Sequence, residues 1–442
     1  MNKCYSAKEP RGGIVLVFGA GNVGQVAIHK MAQRPDVFTE IHVVTRTKES
    51  AERIRDSVYR KNSGKSLHLH NADASNKNAV ASLIGKVRPD LVVNLAPPYW
   101  NLILMEACLE ACVHYLDTAC YEDPNKLGFS NKPQLAMHQA FKKKGLMAQL
   151  QCGFDPGATN LFVAYALQEK LFDRIDSVDI LDCNAGKKNV KWAPNFDPEI
   201  NIRELILEIK SVLNGRWQTH GRLIDNDAIR FSFDFPEAGK QDAYLMYHEE
   251  LESLKRLGIN RLRFWMTFSE DYLTHLRIVH DLGLTRIDPV EYREDPESPL
   301  CQITPVRFLR SLLPKGEDFN ESYRGKTNIG CIIQGMNHGR QKTIYIYQVC
   351  SHQKAFQETG GNAIGYTTAV PAVVGAMMML TGTWSEPGVL VPEARPAKPF
   401  LKEMAKSGLP WRIKVLPDLP EFLKQNFKGK NAYTQPPAET KA

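Results

Sequence analysis

The sequence predicts an α/β protein, in which an N-terminal doubly wound parallel sheet is followed by a second domain of the α+β type. Two observations carry this prediction. Short β-branched runs alternate with helical patterns over residues 14–150, and this alternation is typical of parallel sheets covered by helices. After about residue 155, proline-bearing loops, longer helical patterns and a hairpin signal take its place.

The elements of the first domain follow one another in a regular order. Strands are predicted at IVLVFG, IHVVT, SLHLHNAD, PDLVVNLAP, VHYLDTA and LMAQLQCG. Helices are predicted at NVGQVAIHKMAQ, from Lys48 onward, and at ASNKNAVASLIGKV, NLILMEACLEAC and QLAMHQAFKKKG. Each helix can therefore form the crossover between two parallel strands.

The later part of the chain has a different pattern. YHEELESLKRLG and EDYLTHLRIVHDLG predict helices, and GCIIQGMNHGRQKTIYIYQVC predicts an antiparallel hairpin with Gly339 at its turn. The apolar helix TTAVPAVVGAMMMLTG is expected to return to the first domain. We therefore place a first domain at residues 1–155, a second domain at 156–362 and a C-terminal segment at 363–442.

Composition describes a soluble globular protein, with 43% hydrophobic and 24% charged residues in a chain of 442. The net charge of +7 is modest, and no Lys/Arg cluster with interleaved aromatics indicates nucleic-acid binding. We see no apolar run of about 18 residues, so no membrane span is expected. Nine cysteines without a CxxC pair indicate reduced thiols and a cytoplasmic location. The twelve histidines show no metal-binding spacing, so no metal is expected.

The segment GAGNVG lies where the first strand passes into the first helix. Its glycines, Gly19, Gly21 and Gly24, have the G-x-G-x-x-G spacing of a Rossmann-type dinucleotide site. Such glycines allow a tight turn and a close approach of backbone amides, including those of Asn22 and Val23, to a pyrophosphate. The alternative is a strand–helix turn that binds no ligand.

The end of the second strand indicates which dinucleotide is bound. A carboxylate is expected there, about 20 residues beyond the glycines, to hold the ribose 2′-hydroxyl of NAD. The chain instead has Thr45, Arg46 and Thr47. Because a guanidinium binds a 2′-phosphate through charge-assisted hydrogen bonds, the cofactor is predicted to be NADPH. The alternative is an unrelated surface arginine.

Further loops should line the same crevice, because ligands of open sheets bind at the carboxyl ends of the strands. The cofactor-binding residues predicted on these loops are Asp73, Ala74, Leu95, Ala96, Pro97, Asp117, Thr118, Phe154 and Pro156.

Several residues near these strand ends are candidates for chemistry. Tyr99, in NLAPPYW, is a proton donor, a substrate wall or a packing residue. Cys152, in QCGFDPG, shapes a pocket more readily than it acts as a nucleophile, because no activating base lies nearby in the sequence. Arg203 could clamp a carboxylate with its fork of donors. His248 and Glu249 could bind a ligand or could cap a helix start.

These segments together resemble the saccharopine dehydrogenase-like family, and within it the carboxynorspermidine and carboxyspermidine dehydrogenases. The resemblance covers nearly the whole chain. It rests on GAGNVG, PPYWNLILMEACLEA, YLDTACYEDP, CGFDPGATN, CNAG, NFDPEINIRE, DFPEAGKQDAYLMYHEELESL, RFWMTFSEDYLTHL, GKTNIGCIIQG and IGYTTAVPAVVGAMMM. The first of these and FDPG are shared with the wider family, whereas YHEELESL and TNIGCII point to the polyamine branch.

The resemblance implies a cytoplasmic, homodimeric enzyme that uses NADPH to condense aspartate 4-semialdehyde with 1,3-diaminopropane or putrescine and reduces the imine. Its second domain would bind substrate and form the dimer. The reaction needs a proton-transfer group, for which Tyr99, Asp155 and His248 are the candidates. Tyr99, Cys152, Arg203, His248 and Glu249 are the expected substrate-binding residues. Two rival functions are a saccharopine reductase of lysine synthesis and a non-catalytic NADPH-binding regulator.

Overall fold

The protein is described here by a computed structural model, which covers residues 13–61, 67–225 and 227–427. The ends of the predicted first domain and C-terminal segment, residues 1–12 and 428–442, lie outside the described residues.

The first half of the chain alternates strands and helices as predicted. The strands are β1 Gly13–Phe18, β2 Phe38–Thr45, β3 Leu67–Asn71, β4 Leu91–Asn94, β5 His114–Asp117, β6 Tyr121–Glu122, β7 Phe129–Ser130 and β8 Met147–Gln149. The helices are α1 Asn22–Ala32, α2 Lys48–Lys61, α3 Lys77–Val87, α4 Asn101–Ala111, α5 Lys132–Leu135 and α6 His138–Lys144. The helix predicted at QLAMHQAFKKKG is thus two short helices, separated at Ala136 and Met137.

The second half of the chain is richer in long strands. These are β9 Arg174–Asn184, β10 Glu208–Leu213, β11 Arg216–Arg222, β12 Arg230–Phe235, β13 Gly239–Met246, β14 Arg261–Thr267, β15 Val290–Tyr292, β16 Cys301–Ile303, β17 Lys326–Asn337, β18 Arg340–Ser351, β19 Gly388–Leu390 and β20 Trp411–Leu416. The helices are α7 Ala158–Gln168, α8 Pro198–Leu205, α9 Glu250–Leu254, α10 Glu270–Asp281, α11 Pro305–Leu312, α12 Gly316–Phe319, α13 His352–Thr359, α14 Ala363–Leu380, α15 Ala397–Lys406 and α16 Glu421–Lys424.

Seven strands form a parallel sheet in the order β3-β2-β1-β4-β5-β8-β19. The order reverses direction at β1, as in a doubly wound Rossmann-type sheet, and this is where such sheets bind ligands. The predicted fold class is confirmed. The edge strand β19 comes from far along the chain, and α14 packs against α1.

A second, nine-stranded mixed sheet is built on the hairpin of β17 and β18. The hairpin turns at His338 and Gly339, where Gly339 has φ +73°. β9 lies between β17 and the parallel neighbour β14. β20, near the C-terminus, pairs with the other edge of the hairpin, so the last part of the chain contributes a strand to each sheet.

Helix α14 is long and apolar enough, by length and composition, to cross a membrane, contrary to the expectation that no apolar run of this length exists. However, 83% of its 18-residue window is buried inside the fold. Its valines, alanines and methionines pack in the main hydrophobic core. We therefore describe it as a core helix.

Most cysteines of the described segments are free, and six of these seven are buried. Cys112 is the exception to the expectation of reduced thiols, because it carries a disulfide bond.

A buried carboxylate organises the centre of the second sheet. Asp179 on β9 accepts two hydrogen bonds from the Arg263 guanidinium, at 2.6 and 3.0 Å, and one from the Trp265 indole at 2.9 Å. Neither Asp179 nor Trp265 has exposed surface, and Arg263 is only 2% exposed. Arg263 also donates to the carbonyls of Leu423 and Gln425, but Asp179 is the acid that pairs with its charge.

We expect Asp179→Ala to lower the free energy of unfolding by about 3–5 kcal/mol, because it leaves the Arg263 charge buried and unpaired. The matched control is Asp176→Ala on the same strand, which removes an exposed ion pair with Arg174 and should cost less than about 1 kcal/mol. Urea unfolding measures both. Equal unfolding midpoints for the two variants would contradict this role of Asp179.

Candidate functional site

The three glycines at the junction of β1 and α1 differ in the space that surrounds them. Gly19 has φ +108°, and a Cβ there would lie 2.6 Å from the Leu95 carbonyl. A Cβ on Gly24 would lie 2.2 Å from the carbonyl oxygen of Gly19. A Cβ on Gly21 would meet nothing within 4 Å. The backbone at Gly21 is therefore open to a ligand, in front of the α1 N-terminus, and the loop fits a pyrophosphate.

Asn22 connects this loop to the later part of the chain. Its side-chain amide donates to Asn362 Oδ1 at 2.9 Å, and its Oδ1 accepts from Asn320 Nδ2 and from the Asn362 amide, each at 3.2 Å. The side chain of Asn22 is therefore used within the protein, and only its backbone remains for the predicted cofactor contact. Val23, beside it, is partly buried against the main core.

Arg46 follows the last residue of β2 and is exposed. The amide of Thr47 donates to Thr45 Oγ1 at 3.1 Å, and Asn71 donates to the carbonyl of Arg46 at 3.2 Å, so the backbone of the turn is held. Hydrogen bonds from Ser75, with help from the charge of Arg46, lower the pKa of Asp73. The guanidinium is thus free of the core and fits a 2′-phosphate at the end of β2.

Other residues predicted to line the crevice divide into two groups. Leu95, Ala96 and Pro97 are partly buried beside Gly19, and Ala96 is held by Asn94 through a 3.0 Å hydrogen bond. The second group lies beneath the crevice. Ala74 and Phe154 are buried in the two hydrophobic cores. Pro156 follows a cis peptide bond, and Thr118 is partly buried beside Gly153.

Asp117 does not have the exposed position expected of a polar loop tip. It is 1% exposed, and its carboxylate accepts from the Gln151 amide at 2.7 Å and from the Gln134 side chain at 2.6 Å. Burial raises its pKa to about 7. We correct the prediction of a direct cofactor contact, because Asp117 holds the loops after β5 and β8 together.

Arg203 does not present its guanidinium to a substrate carboxylate. It is 1% exposed and pairs with Glu122 at 3.1 Å. It also donates to the carbonyls of Asp123, Pro124 and Lys126. The prediction of a carboxylate clamp is wrong on this geometry, because the donors that would form the clamp are already engaged.

Cys152 does not line a pocket. It has no exposed surface, its thiol lies 3.5 Å from the carbonyl of Pro371, and burial raises its pKa. A Cβ on Gly375 would come within 2.4 Å of the sulfur. Cys152 therefore packs beneath α14, and we correct its assignment as a substrate-binding residue.

Acidic side chains from the second half of the chain meet the loops that follow β5 and β8, at the carboxyl edge of the parallel sheet. Glu249, which precedes α9, accepts a hydrogen bond from the amide of Cys120, in the loop after β5. Asp155, in the loop after β8, lies beside Asp182 near the end of β9. Burial and the neighbouring Asp182 carboxylate raise the pKa of Asp155 well above its usual value. The protonated form of Asp155 is therefore favoured relative to that of an exposed aspartate.

His248 lies among these acids. Its ring is stacked on Phe264 at 4.1 Å between centroids, and its Nδ1 pairs with Glu250. Burial opposes the charged form, but Glu250, Glu204 and Asp155 outweigh it and raise the pKa of the imidazole well above its usual value. His248 is thus a buried imidazolium and not an exposed helix cap, and α9 begins only at Glu250.

Tyr99 lies in a short 3-10 turn after β4 and is 8% exposed. The Arg203 guanidinium lies over its ring, 5.3 Å from the centroid. Its hydroxyl is buried without a hydrogen-bond partner among the described residues. Burial and the nearby carboxylate of Glu122 raise its pKa, so the hydroxyl keeps its proton as a donor.

Histidines separated along the chain come together across two strands. The register pairs His42 with His68, and atoms of Glu40, His42 and His68 that could bind a metal lie within 4.8 Å of one another. His42 Nδ1 also lies 2.9 Å from His70 Nε2. Spacing along the sequence did not reveal this group, because its members come from different strands.

Comparison with known proteins places this geometry in a family. Residues 15–148 match the saccharopine dehydrogenase NADP binding domain, and residues 153–409 match the saccharopine dehydrogenase C-terminal domain. The chain belongs to the saccharopine dehydrogenase family. The resemblance expected from the motifs is confirmed.

Curated relatives of this family member align along most of its length. Carboxyaminopropylagmatine dehydrogenase of Synechocystis is 43% identical over 90% of this chain and 96% of the relative. Carboxynorspermidine synthase of Vibrio cholerae is 37% identical over 91% of this chain and 97% of the relative. In fold, saccharopine dehydrogenase (L-Glu forming) from Saccharomyces cerevisiae covers 92% of this chain and all of its own, with a TM-score of 0.67 at 15% identity.

The protein is therefore an oxidoreductase of the CH–NH type, and its cofactor is NADPH, as predicted. The roles of individual residues stay predictions. Sequence reasoning missed Glu122, Asp182, Glu204 and Glu250. The available signal was an acid beside apolar neighbours, as in DILDCN and IRELI, but this pattern also occurs at solvated strand and helix ends.

We expect Arg46→Ala to weaken NADPH binding by about 10- to 100-fold, the equivalent of one lost charge-assisted hydrogen bond to the 2′-phosphate. NADH binding should change little, because NADH lacks that phosphate. Fluorescence titration measures both dissociation constants. The control is Lys48→Ala, at an exposed residue that pairs with Glu52. Equal weakening of NADH and NADPH would argue against this role for Arg46.

Proposed function

We propose that the protein catalyses the NADPH-dependent reductive condensation of aspartate 4-semialdehyde with a diamine, 1,3-diaminopropane or putrescine, to carboxynorspermidine or carboxyspermidine. The observation that carries the proposal is the surplus of buried carboxyls where the two sheets meet. A diamine brings a second positive charge into the site, and acids match it. The names of the relatives, which denote carboxylated polyamine derivatives, support the same substrate class.

The residues of the site can carry the proton steps. The amine nitrogen attacks the aldehyde carbon, and loss of one water gives the imine, so the departing hydroxyl must receive a proton. Asp155 is partly exposed and its pKa is raised, which suits it to give that proton. Asp182 beside it can take part in returning a proton from solvent. NADPH, when bound, would supply a hydride to the imine carbon, and the imine nitrogen would take up one proton, which gives the secondary amine and NADP⁺.

Tyr99 and His248 have supporting roles in this proposal. The unpartnered hydroxyl of Tyr99 donates a hydrogen bond to the substrate. The imidazolium of His248, paired with Glu250, lies near both Asp155 and Glu204 and balances part of the acidic charge. Because its Nδ1 is engaged by Glu250, we assign the general acid to Asp155 and not to His248.

A saccharopine reductase function is less well supported by the site. Its amine partner would be a dicarboxylic amino acid, whose second carboxylate needs a cation. Arg203 is committed to Glu122 and to backbone carbonyls. Acids would thus face the extra carboxylate and repel it. The non-catalytic regulator is disfavoured by the enzyme family itself.

A second candidate amine is agmatine, because the relative at 43% identity is named for an agmatine derivative. Its far end is a guanidinium instead of an ammonium, and the reaction would otherwise be the same. The homodimer and the cytoplasmic location implied by the resemblance also stay proposals.

The reaction is tested by the oxidation of NADPH with aspartate 4-semialdehyde and each amine. We expect oxidation to require both the aldehyde and the amine. Activity with glutamate and the semialdehyde of the lysine pathway, and none with the amines, would reject the proposal in favour of saccharopine reductase.

We expect Asp155→Asn to lower kcat by about 10²- to 10⁴-fold, the usual contribution of a general acid. The wild-type rate should fall as the pH rises through the raised pKa of Asp155, since the acid is active only while protonated, and the variant should lack this limb. The pH profile of kcat checks both points. Asp176→Asn, on the surface of β9, is the control. A variant that keeps the same alkaline limb would rule out Asp155 as the acid.

A further inference from the structure

Three glutamates from three separate elements converge on one point. Glu122 comes from β6, Glu204 from the end of α8, and Glu249 from the turn before α9. They are 2%, 7% and 3% exposed. Each offers one carboxylate oxygen, and these oxygens lie within 4.8 Å of one another. We call these residues the three-glutamate cluster.

Buried polar atoms around the cluster have no partner among the described residues. They include Glu122 Oε1, Glu204 Oε2 and the hydroxyl of Tyr99. A buried acceptor without a hydrogen bond destabilises the folded protein, and more so if it is charged. Such groups are rare in a folded protein unless a ligand or water occupies the space. Tyr99 belongs to a different loop and lies beside the cluster, because its ring is 5.3 Å from the Arg203 guanidinium that pairs with Glu122.

The nearby protein cations balance only part of the charge of the cluster. Arg203 pairs with Glu122 through Oε2, and His248 pairs with Glu250. Glu204 forms no ion pair with Arg203 or His248 among the described contacts, and its Oε2 is buried without a hydrogen-bond partner. One further positive charge would therefore complete the site.

We propose that the three-glutamate cluster binds the far primary ammonium of a diamine substrate, which rests on the function proposed above. An ammonium has three N–H donors, and the cluster offers three oxygens. Charge-assisted N–H···O bonds of about 2.8 Å in tetrahedral directions place the acceptors about 4.6 Å apart. The observed spacing, within 4.8 Å, accommodates this arrangement.

A guanidinium fits this arrangement less well. It is planar and directs its donors outward along its edges, so single oxygens around it lie about 6 Å apart. A hard metal ion such as Ca²⁺ would take six or more oxygens, whereas one oxygen of Glu122 and one of Glu249 are already engaged by Arg203 and by the Cys120 amide. The cluster therefore selects a diamine over agmatine.

The decisive variant is Glu204→Gln, which keeps the shape of the side chain and removes its charge. We expect the KM for 1,3-diaminopropane or putrescine to rise about 10- to 100-fold, the loss of a charged hydrogen bond. The KM for propylamine or butylamine, which lack the far ammonium, should change less than about twofold. Steady-state kinetics with saturating NADPH and aldehyde measures each KM, and Glu249→Gln provides a second variant.

The matched control is Glu393→Gln. Glu393 also has a buried oxygen without a partner among the described residues, and it bonds to Asn160 outside the cluster. Its variant should leave the ratio of diamine to monoamine KM unchanged. An equal rise in KM for diamines and for monoamines in Glu204→Gln would overturn the proposal. So would a wild-type preference for agmatine, or activity that EDTA abolishes and a divalent cation restores.

Failure of the reaction itself gives a different result. If none of the tested amines supports oxidation of NADPH by the wild-type protein, the proposed function is rejected. Calorimetric titration with 1,3-diaminopropane or putrescine still tests the cluster. Binding that Glu204→Gln abolishes supports the ammonium site. Equal binding by both proteins overturns it.

The cluster also predicts a pH dependence. Burial raises the pKa of Glu122 to about 7 and that of Glu204 to about 8, and both must ionise to bind a cation. The charged and titratable groups that face the cluster are Tyr99, Cys120, Asp182, Asp197, Glu199, Arg203, His248, Glu250 and Tyr272.

We therefore expect the preference for diamine over monoamine in kcat/KM to increase between about pH 6 and pH 9. At pH values below the pKa of both amines, the neutral fraction of the attacking amine rises with pH by the same factor for both substrates, and the ratio cancels this common rise. The increase should be much smaller in Glu204→Gln. A ratio that stays constant with pH in the wild-type protein would contradict the cluster as the cation site.

Discussion

The buried guanidinium of Arg203 holds together the segments that build the site. It pairs with Glu122 and donates to backbone carbonyls between residues 123 and 126. Glu204 is its neighbour along α8, and the ring of Tyr99 lies under the guanidinium. One side chain thus fixes Glu122, packs on the aromatic ring beside it and anchors the helix that carries Glu204. Such a buried charge is tolerated only because nearly every donor has an acceptor.

The buried acids of the three-glutamate cluster lower the stability of the fold when they are ionised. Glu122 and Glu204 have pKa values raised by burial to about 7 and about 8. A carboxyl with a raised folded-state pKa favours folding at low pH, and this contribution is lost as the pH rises through the folded value. A bound cation would reverse this effect by favouring the ionised forms. The arrangement is therefore suited to a positively charged ligand and is costly without one.

Much of the fold was predictable because it depends on local patterns. β-branched runs and helical periodicity located the strands and helices of the parallel sheet, and the G-x-G-x-x-G spacing located the turn before α1. The position of Arg46 directly after β2 was predictable too, whereas its role toward the cofactor stays a prediction. The predictions for Asp117, Cys152 and Arg203 were less successful. Each belongs to a loop or helix near the crevice, but the sequence does not show whether a side chain faces the ligand or the protein.

The sequence by itself determined the fold class, the dinucleotide loop and the family, because these depend on the order and spacing of residues along the chain. Only the tertiary structure decided which acids form the site. Glu122, Glu204 and Glu249 lie far apart in sequence and meet only when the second sheet packs on the carboxyl edge of the first. The same packing removes them from water, and burial in a group of like charges gives these carboxyls properties that no single residue has in the sequence.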